Sequence, residues 1–107
     1  MKSELPSHSQ KILLAILTKH LKGYEPYTIL LFGSFAKHSQ KDGSDIDIAI
    51  KSRKPLSLTT AGWIELDIEE SNIPQAVDVL DYHQLSPEFQ QLIDREGLGL
   101  FTSEPST

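Results

Sequence analysis

The sequence predicts an α/β (α+β) fold in which a small mixed β-sheet packs against helices. Three segments carry apolar residues at helical spacing, and three shorter segments are apolar or alternate between apolar and polar residues. They follow one another as α-β-β-α-β-α, with a short last strand, which mixes helices and strands in one small sheet structure. The 107 residues suit a single domain, 1–107, with a core over about 8–101 and a flexible tail over 102–107.

The first predicted element is a helix over 8–22. Ser7 is expected to be its N-cap, with Gln10 as the capping-box partner, and Gly23 is expected to end it. Its apolar face has four members at helical spacing: Leu13, Ile16, Leu17 and Leu21.

A first strand is predicted over 27–32. It is short and almost wholly apolar, which indicates a central strand covered on both faces. A helical turn over 35–38 and a polar loop over 39–44 are expected to follow, because a Gly-Ser pair breaks the strand.

The second strand, over 45–50, alternates strictly, with isoleucine at every second position and aspartate or alanine between. One side is formed by Ile46, Ile48 and Ile50, while Asp45 and Asp47 point to the other. A second helix is predicted over 57–71, with Ala61, Ile64 and Ile68 on its buried side.

The third strand is predicted over 76–81, with Val77 and Val79 on one face and Asp78 and Leu80 on the other. Ser86, Pro87 and Glu88 form a helix start, with an N-cap, a proline at the first position and an acid in the first turn. This helix is expected to end near Glu96 with Gly97 as its cap, before a short edge strand over 98–101.

The composition excludes several classes of protein. A net charge of −5 argues against broad, sequence-independent binding of nucleic acid, which depends on basic patches. The chain has no cysteine, which removes disulfides, thiolate zinc sites and a cysteine nucleophile. The apolar run over 12–17 is too short for a signal peptide or a membrane span. We therefore expect a soluble, cytoplasmic protein.

Three aspartates carry the candidate chemistry. Asp45 and Asp47 are two residues apart on a strand, so their carboxylates share a face and repel each other unless a cation lies between them. Aspartate is disfavoured in strands, and Asp78 stands among valines, where an unpaired charge is costly. A shared metal ion would remove that cost. The alternative is a half-exposed strand with solvated acids.

Gly33 and Ser34 follow the first strand and precede the expected helical turn. A glycine there lets a phosphate approach the backbone N–H groups, and a helix start favours an anion. Mg²⁺ fits the three carboxylates, because it takes hard oxygen ligands and is usually held by a few carboxylates together with substrate phosphates. Two such ions could clamp the attacking and leaving oxygens of an in-line phosphoryl displacement.

These motifs resemble the signature of the DNA polymerase β-like nucleotidyltransferase superfamily. In that family a Gly-Ser pair is followed, about ten residues later, by Asp-x-Asp, and a later strand carries a third acid. The matching residues here are Gly33, Ser34, Asp45, Asp47 and Asp78. Within the superfamily the chain is most similar to the minimal nucleotidyltransferase (MNT) group, and the similarity runs over about 29–101.

The resemblance implies roles for these residues. Asp45 and Asp47 would ligate two Mg²⁺ ions, and Asp78 would ligate the catalytic ion and help deprotonate an acceptor hydroxyl. Gly33 and Ser34 would hold the β- and γ-phosphates of a nucleoside triphosphate. Attack at the α-phosphorus would release pyrophosphate.

The chain departs from the family pattern just after the Gly-Ser pair. Lys37 and His38 stand where family members commonly have arginine and then glycine. Lys37 can still contact phosphate, though without the bidentate fork of arginine. His38 in place of glycine could narrow the approach of the phosphates, which bears on catalytic rate more than on fold.

The resemblance also implies a partner. MNT proteins are often encoded beside a helical HEPN protein, an RNase-type toxin, and act as antitoxins that bind it and in some cases adenylylate a tyrosine on it. We therefore expect AMP transfer from ATP to a hydroxyl of a HEPN-type protein. Because no added substrate-binding domain is visible, the acceptor would be bound by that partner or by a second copy in a homo-oligomer.

Two alternatives to this enzyme remain. One is an antitoxin with little or no turnover, which neutralises its partner by binding alone. The other is an antibiotic-modifying transferase, which is disfavoured because nothing in the sequence builds a pocket for an aminoglycoside.

The aromatic and histidine residues outside the motif receive structural interpretations. Trp63 is expected to pack in the core or against another helix, although a helix exposing Trp63 beside Leu66 would suit a docking partner. His8, His20 and His83 show no ligand spacing and are interpreted as surface residues.

Overall fold

The computed structural model describes residues 5–33 and 45–103, and within them it confirms the predicted order of elements. The helices are α1 (Ser7–His20), α2 (Leu58–Glu69) and α3 (Pro87–Glu96). The strands are β1 (Tyr27–Phe32), β2 (Ile46–Ser52), β3 (Val77–Asp81) and β4 (Leu98–Thr102), and a 3-10 helix, Tyr82–Gln84, follows β3. The mixed α/β fold class is therefore confirmed.

The four strands form one mixed sheet in the order β3-β2-β1-β4. β1 is antiparallel to both β2 and β4, whereas β2 and β3 are parallel. A parallel pair needs a crossover connection, and α2 supplies it between β2 and β3. The chain order of the strands did not determine this arrangement, which places β2 and β3 side by side.

One face of the sheet carries the main core. Alternate residues of β1 and β2 point into it, because successive side chains of a strand lie on opposite faces. Fully buried members from the sheet are Ile29, Leu31, Ile46, Ile48 and Ile50, and those from α1, its C-cap and α2 are Leu13, Leu17, Leu21 and Ile64. The apolar patterns in the sequence therefore predicted most of the core correctly, but Ile16, Ala61 and Ile68 are only half-buried.

The opposite face of the sheet is covered only in part. Phe89 of α3 meets Phe32 of β1 edge-on, with ring centroids 5.8 Å apart, and Ile93 of α3 is buried. The prediction that β1 is central is confirmed, but the prediction that both its faces are covered is wrong. Its burial alternates along the strand, because the ten-residue α3 leaves part of this face open.

The start of α1 differs from the prediction. Ser7 is the first helical residue, Pro6 is the N-cap, and no side chain caps the helix. The predicted capping box is therefore wrong, and the backbone N–H of Gln10 bonds to the carbonyl oxygen of Pro6 instead. At the other end the helix stops at His20, and Gly23 lies in the following turn with a φ of 96°.

The other two helices begin with side-chain caps. Ser57 accepts a hydrogen bond from the backbone N–H of Thr60 at 3.0 Å, and Ser86 accepts one from Phe89 at 3.2 Å. Each satisfies an N–H that the first turn of a helix leaves unpaired. The predicted start of α3 at a Ser-Pro pair is confirmed.

β4 confirms the predicted short edge strand and extends it by one residue. Thr102 pairs with Thr28, so the tail predicted over 102–107 begins later. Residues 104–107 lie outside the described residues, as do the predicted helical turn over 35–38 and the loop over 39–44.

Two side chains, His20 and Trp63, lie in different surroundings from those predicted, whereas His83 is exposed as predicted. Nε2 of His20 lies 2.5 Å from a carboxylate oxygen of Asp67 and so ties α1 to α2. Nε2 of His83 lies 2.6 Å from the carbonyl oxygen of Ser52. Trp63 is 53% exposed, so its predicted core position is wrong.

None of the helices within residues 5–33 and 45–103 has the length and the apolarity that a membrane span requires.

Replacing Leu17 by alanine is expected to lower the free energy of unfolding by about 2–5 kcal/mol, because the change leaves a cavity between α1 and the sheet. Urea unfolding followed by circular dichroism measures the loss. Lys11→Ala, on the exposed side of the same helix, is the control and should change the free energy by less than about 0.5 kcal/mol. Equal losses in the two variants would contradict the assignment of the core.

Candidate active site

Two aspartates lie side by side on the partly open face of the sheet. Asp47 of β2 and Asp78 of β3 are direct partners in the parallel register. Neighbouring strands are about 4.8 Å apart, so partners on the same face are close enough to interact. Val77 and Val79, which flank Asp78, pack against the main core and leave the aspartate on the opposite face.

Asp45 precedes β2 and is exposed. Strand pairing begins at the next residue, where the backbone N–H of Ile46 bonds to the carbonyl oxygen of Ala76 at 2.8 Å. Asp45 is two residues from Asp47, so alternation favours the same side of the sheet.

The three carboxylates affect the protonation of the central one. Burial raises the pKa of the Asp47 carboxyl above its usual range, and the charges of Asp78 and Asp45 raise it further. Each of these effects disfavours the ionised form. A positive charge at this position would favour the ionised form of Asp47.

Gly33, the residue after β1, packs directly against this carboxylate. Its φ is 75°, in the left-handed region that favours glycine. A Cβ atom at this position would overlap Oδ2 of Asp47 and lie 3.2 Å from its Cγ. Glycine is thus required both by the backbone conformation and by the space that the carboxylate occupies.

Phe32 is a neighbour of the site that the sequence analysis missed. It is the cross-strand partner of Asp47, and it lies edge-on against Phe89 of α3. An apolar ring pair therefore stands beside the carboxylates on the same face. The only sequence signal was an aromatic residue directly before the Gly-Ser pair, and it gives no hint of which strand lies opposite.

A separate polar cluster on the same face holds α3 to the sheet. Asp94 accepts hydrogen bonds from Nζ of Lys51 at 3.0 Å and from the hydroxyl of Tyr82 at 2.8 Å. Lys51 also lies above the Tyr82 ring, 4.6 Å from its centroid. The hydrogen bond from Tyr82 has the largest effect in lowering the pKa of the Asp94 carboxyl, and the hydrogen bond from Lys51 lowers it further. Lys51 therefore already has Asp94 as its carboxylate partner, although it lies on the same face of β2 as Asp47.

Asp81, the other acid of β3, has a structural role. Its carboxylate accepts a hydrogen bond from the backbone N–H of Leu56 at 2.9 Å and one from His83 at 3.0 Å. It therefore fixes the start of the 3-10 helix and the approach to α2. Its carboxylate is already occupied by backbone donors.

The structure brings together only part of the predicted site. Asp45, Asp47, Asp78 and Gly33 lie at one end of β2, while Ser34, Lys37 and His38 lie outside the described residues. Across ranges 5–33 and 45–103, no group of three or more acids or histidines already converges as a metal site. The donor set still fits a hard cation, because the donor atoms are carboxylate oxygens. Burial, and then the charges of Asp78 and Asp45, raise the pKa of Asp47.

Comparison with known proteins gives the same family on several grounds. The family described as "Polymerase beta, Nucleotidyltransferase" matches residues 15–106. A Haemophilus influenzae protein named "Probable protein adenylyltransferase MntA" is 37% identical over 81 residues, which cover 75% of this chain and 71% of that protein.

Solved structures share the fold. A crystal structure of a toxin–antitoxin with AMP-PNP is 26% identical, has a TM-score of 0.65, and is matched over 84% of this chain and 73% of that chain. A structure of tri-AMPylated Shewanella oneidensis HEPN toxin in complex with MNT antitoxin matches at 21% identity and a TM-score of 0.67, over 90% of this chain and 71% of that one. Because this family matches residues 15–106 and the Haemophilus influenzae relative is 37% identical, the chain belongs to the polymerase beta nucleotidyltransferase family.

Proposed function

We propose that this chain is a protein adenylyltransferase that moves AMP from ATP to a hydroxyl of a helical HEPN-type partner and acts as its antitoxin. The observation that carries the proposal is the in-register pair of Asp47 and Asp78 beside Gly33. The name of the Haemophilus influenzae relative supports the reaction. The AMP-PNP complex of the toxin–antitoxin supports the donor. Because ATP is the donor, the cytoplasm is the proposed place of the reaction.

Asp45, Asp47 and Asp78 are the proposed metal ligands. Enzymes of this family generally use divalent metal ions, and we propose two Mg²⁺ ions here. When bound, the ions would neutralise phosphate oxygens and the charge that develops on the leaving group. Asp45 and Asp47 are the proposed ligands of both ions, and Asp78 is the proposed ligand of the catalytic ion.

The aspartates are also proposed to position the acceptor. The acceptor oxygen forms a bond to the α-phosphorus, the bond to the bridging oxygen breaks, and pyrophosphate leaves. Asp78, exposed at the edge strand, is the proposed acceptor of the hydroxyl proton. An acceptor on a second protein can reach this position because β3 has a strand neighbour on one side only.

The turn after β1 is the proposed phosphate site. Gly33 has no side chain and a positive φ, so a phosphate can approach the backbone closely there. The roles of Ser34 and Lys37 in holding the β- and γ-phosphates rest on the sequence pattern.

An antitoxin that binds without turnover is the second candidate. The exposed apolar side of α2, which includes Trp63 and Leu66, favours it. The two candidates differ in one observable, because only the enzyme leaves AMP covalently attached to the partner.

Asp47→Asn is expected to lower the transfer of label from α-³²P-ATP to a co-expressed HEPN-type partner in the presence of Mg²⁺. The expected loss is roughly 10²-fold or more, the size seen when one charge-stabilising group is removed from an active site. Asp67→Asn makes the same chemical change on the α2 side of the sheet and should label like the wild type. Unchanged labelling in Asp47→Asn would contradict the proposed ligand role.

The stability of Asp47→Asn separates lost chemistry from lost structure. Because the folded-state pKa of Asp47 is raised, the folded chain favours its protonated form, and that stabilisation is lost as the pH rises through the raised pKa. Asparagine cannot ionise, so the metal-free variant should melt no lower than the wild type at neutral pH. A clearly lower melting temperature would show that unfolding explains any loss of label.

Gly33→Ala is expected to reduce labelling, because the new Cβ must displace the Asp47 carboxylate. The positive φ alone costs about 1–2 kcal/mol for a residue with a Cβ. Gly23→Ala is the matched control: it carries the same kind of backbone strain at a φ of 96°, but its Cβ meets nothing within 4 Å. Labelling by both variants is measured below their melting temperatures, and equal labelling would contradict the role given to Gly33.

A further inference from the structure

The outward side of α2 carries an apolar surface whose large side chains remain well exposed in the described part of the chain. We call it the α2 patch, and it surrounds a shallow depression of about 290 Å³. Its members are Leu58, Thr59, Gly62, Trp63 and Leu66. Leu58 is 92% exposed and Leu66 40%, which is unusual for large apolar side chains spaced along one helix face.

Gly62 lies in the middle of the α2 patch, in open space. Glycine inside a helix is destabilising relative to alanine. A Cβ atom at this position would meet nothing within 4 Å, so no internal contact requires its absence. Leu58 and Leu66 lie four residues before and after it on the same face. The glycine is therefore a notch between two leucines, into which a side chain of another protein can fit.

The border of the α2 patch is acidic. Glu65 lies just before the last turn of α2 and Glu69 lies in it. Glu70 is the C-cap, at the negative end of the helix dipole. Ion pairs among the described residues involve none of these three. Asp67, by contrast, is paired with Lys19 and His20 of α1. α2 also has no basic residue in its last turn, so a cation from outside would remove an unfavourable arrangement.

We propose that the α2 patch docks a cationic amphipathic helix of the partner protein. An apolar ridge of that helix would enter the notch at Gly62, and its lysine or arginine side chains would meet Glu65 and Glu69. A second α2 helix does not fit this description, because residues 58–69 contain no lysine or arginine to meet these acids. That this helix belongs to the HEPN-type partner rests on the proposed function.

The α2 patch lies on the other side of the sheet from the carboxylates. α2 covers the core face through Ile64, whereas Asp47 and Asp78 lie on the face of Phe32. A partner held by α2 therefore leaves the carboxylates of that chain open. Docking and AMP transfer become separable properties of two surfaces, and a variant can lose one and keep the other.

Trp63 is the only tryptophan of the chain, so its fluorescence reports on the α2 patch directly. The probe is a synthetic helix with leucines along one face and lysines beside them, and the control is the same peptide with glutamates in place of the lysines. We expect the lysine peptide to shift the Trp63 emission to shorter wavelength, saturably and with one peptide per chain. The glutamate peptide should leave it unchanged.

Two variants decide whether the notch and the border carry the binding. Gly62→Ala should raise the melting temperature of the chain. It should also lower the affinity for the lysine peptide about tenfold or more, the range of a moderate hot spot. The double variant Glu65→Lys and Glu69→Lys should prefer the glutamate peptide. Lysine-peptide affinities unchanged in both variants, or a wild-type chain that buries Trp63 by self-association in sedimentation, would overturn the proposal.

Co-expression with the HEPN-type partner separates this proposal from the proposed function. Gly62→Leu should lose the stable complex, and Asp47→Asn should keep the complex and lose the label. A stable complex with Gly62→Leu would overturn the docking proposal whatever the labelling. A wild-type complex without label would overturn the enzyme and leave the docking proposal supported.

Discussion

The repulsion between the carboxylates of Asp47 and Asp78 is the constraint on which the site depends. The parallel strands β2 and β3 hold these two residues in register, and Asp45 lies two residues before Asp47, directly before β2. Burial raises the pKa of Asp47, and the two neighbouring charges raise it further, because each opposes its ionisation. The strands keep this arrangement because their other faces are anchored by isoleucines and valines in the main core. An apolar face thus stabilises the strands that present the acids.

The sheet divides the molecule into a structural face and a working face. α1 and α2 cover the structural face, and α3 covers only part of the working face, where Phe89 meets Phe32. The acids lie at the uncovered end, beside a turn whose Gly33 gives room to the carboxylate of Asp47. The exposed side of α2 faces away from both. The proposed catalysis and the proposed partner docking therefore use different surfaces of the chain.

Much of this fold could be predicted from local sequence patterns. The alternation in β2 correctly assigned Ile46 and Ile48 to the core, and the Ser-Pro pair located the start of α3. The capping box of α1 failed because Pro6 took the N-cap position. Trp63 was wrongly expected in the core, because a helical pattern does not say which apolar side chains the small sheet has room to cover.

The candidate site was only partly predictable, because some of its residues are far apart in the sequence and meet only in the folded sheet. Two acids two residues apart on a strand can be recognised in the sequence, but the partnership of Asp47 with Asp78 depends on strand order and register. The second role of Gly33, which is to leave space for a carboxylate from another strand, is likewise a tertiary contact. The same holds for Phe32, which becomes part of the site only because β1 pairs with β2.

The most direct measurement is a ¹³C NMR titration of the Asp47 carboxyl carbon, without metal, with Mg²⁺ and a non-hydrolysable ATP analogue, and in Asp78→Asn. We expect a raised pKa in the metal-free protein, a lower pKa when the neighbouring charge is removed, and the lowest pKa when Mg²⁺ and the analogue are bound. An Asp47 pKa in the ordinary range that responds neither to Asp78→Asn nor to Mg²⁺ would contradict a shared metal site.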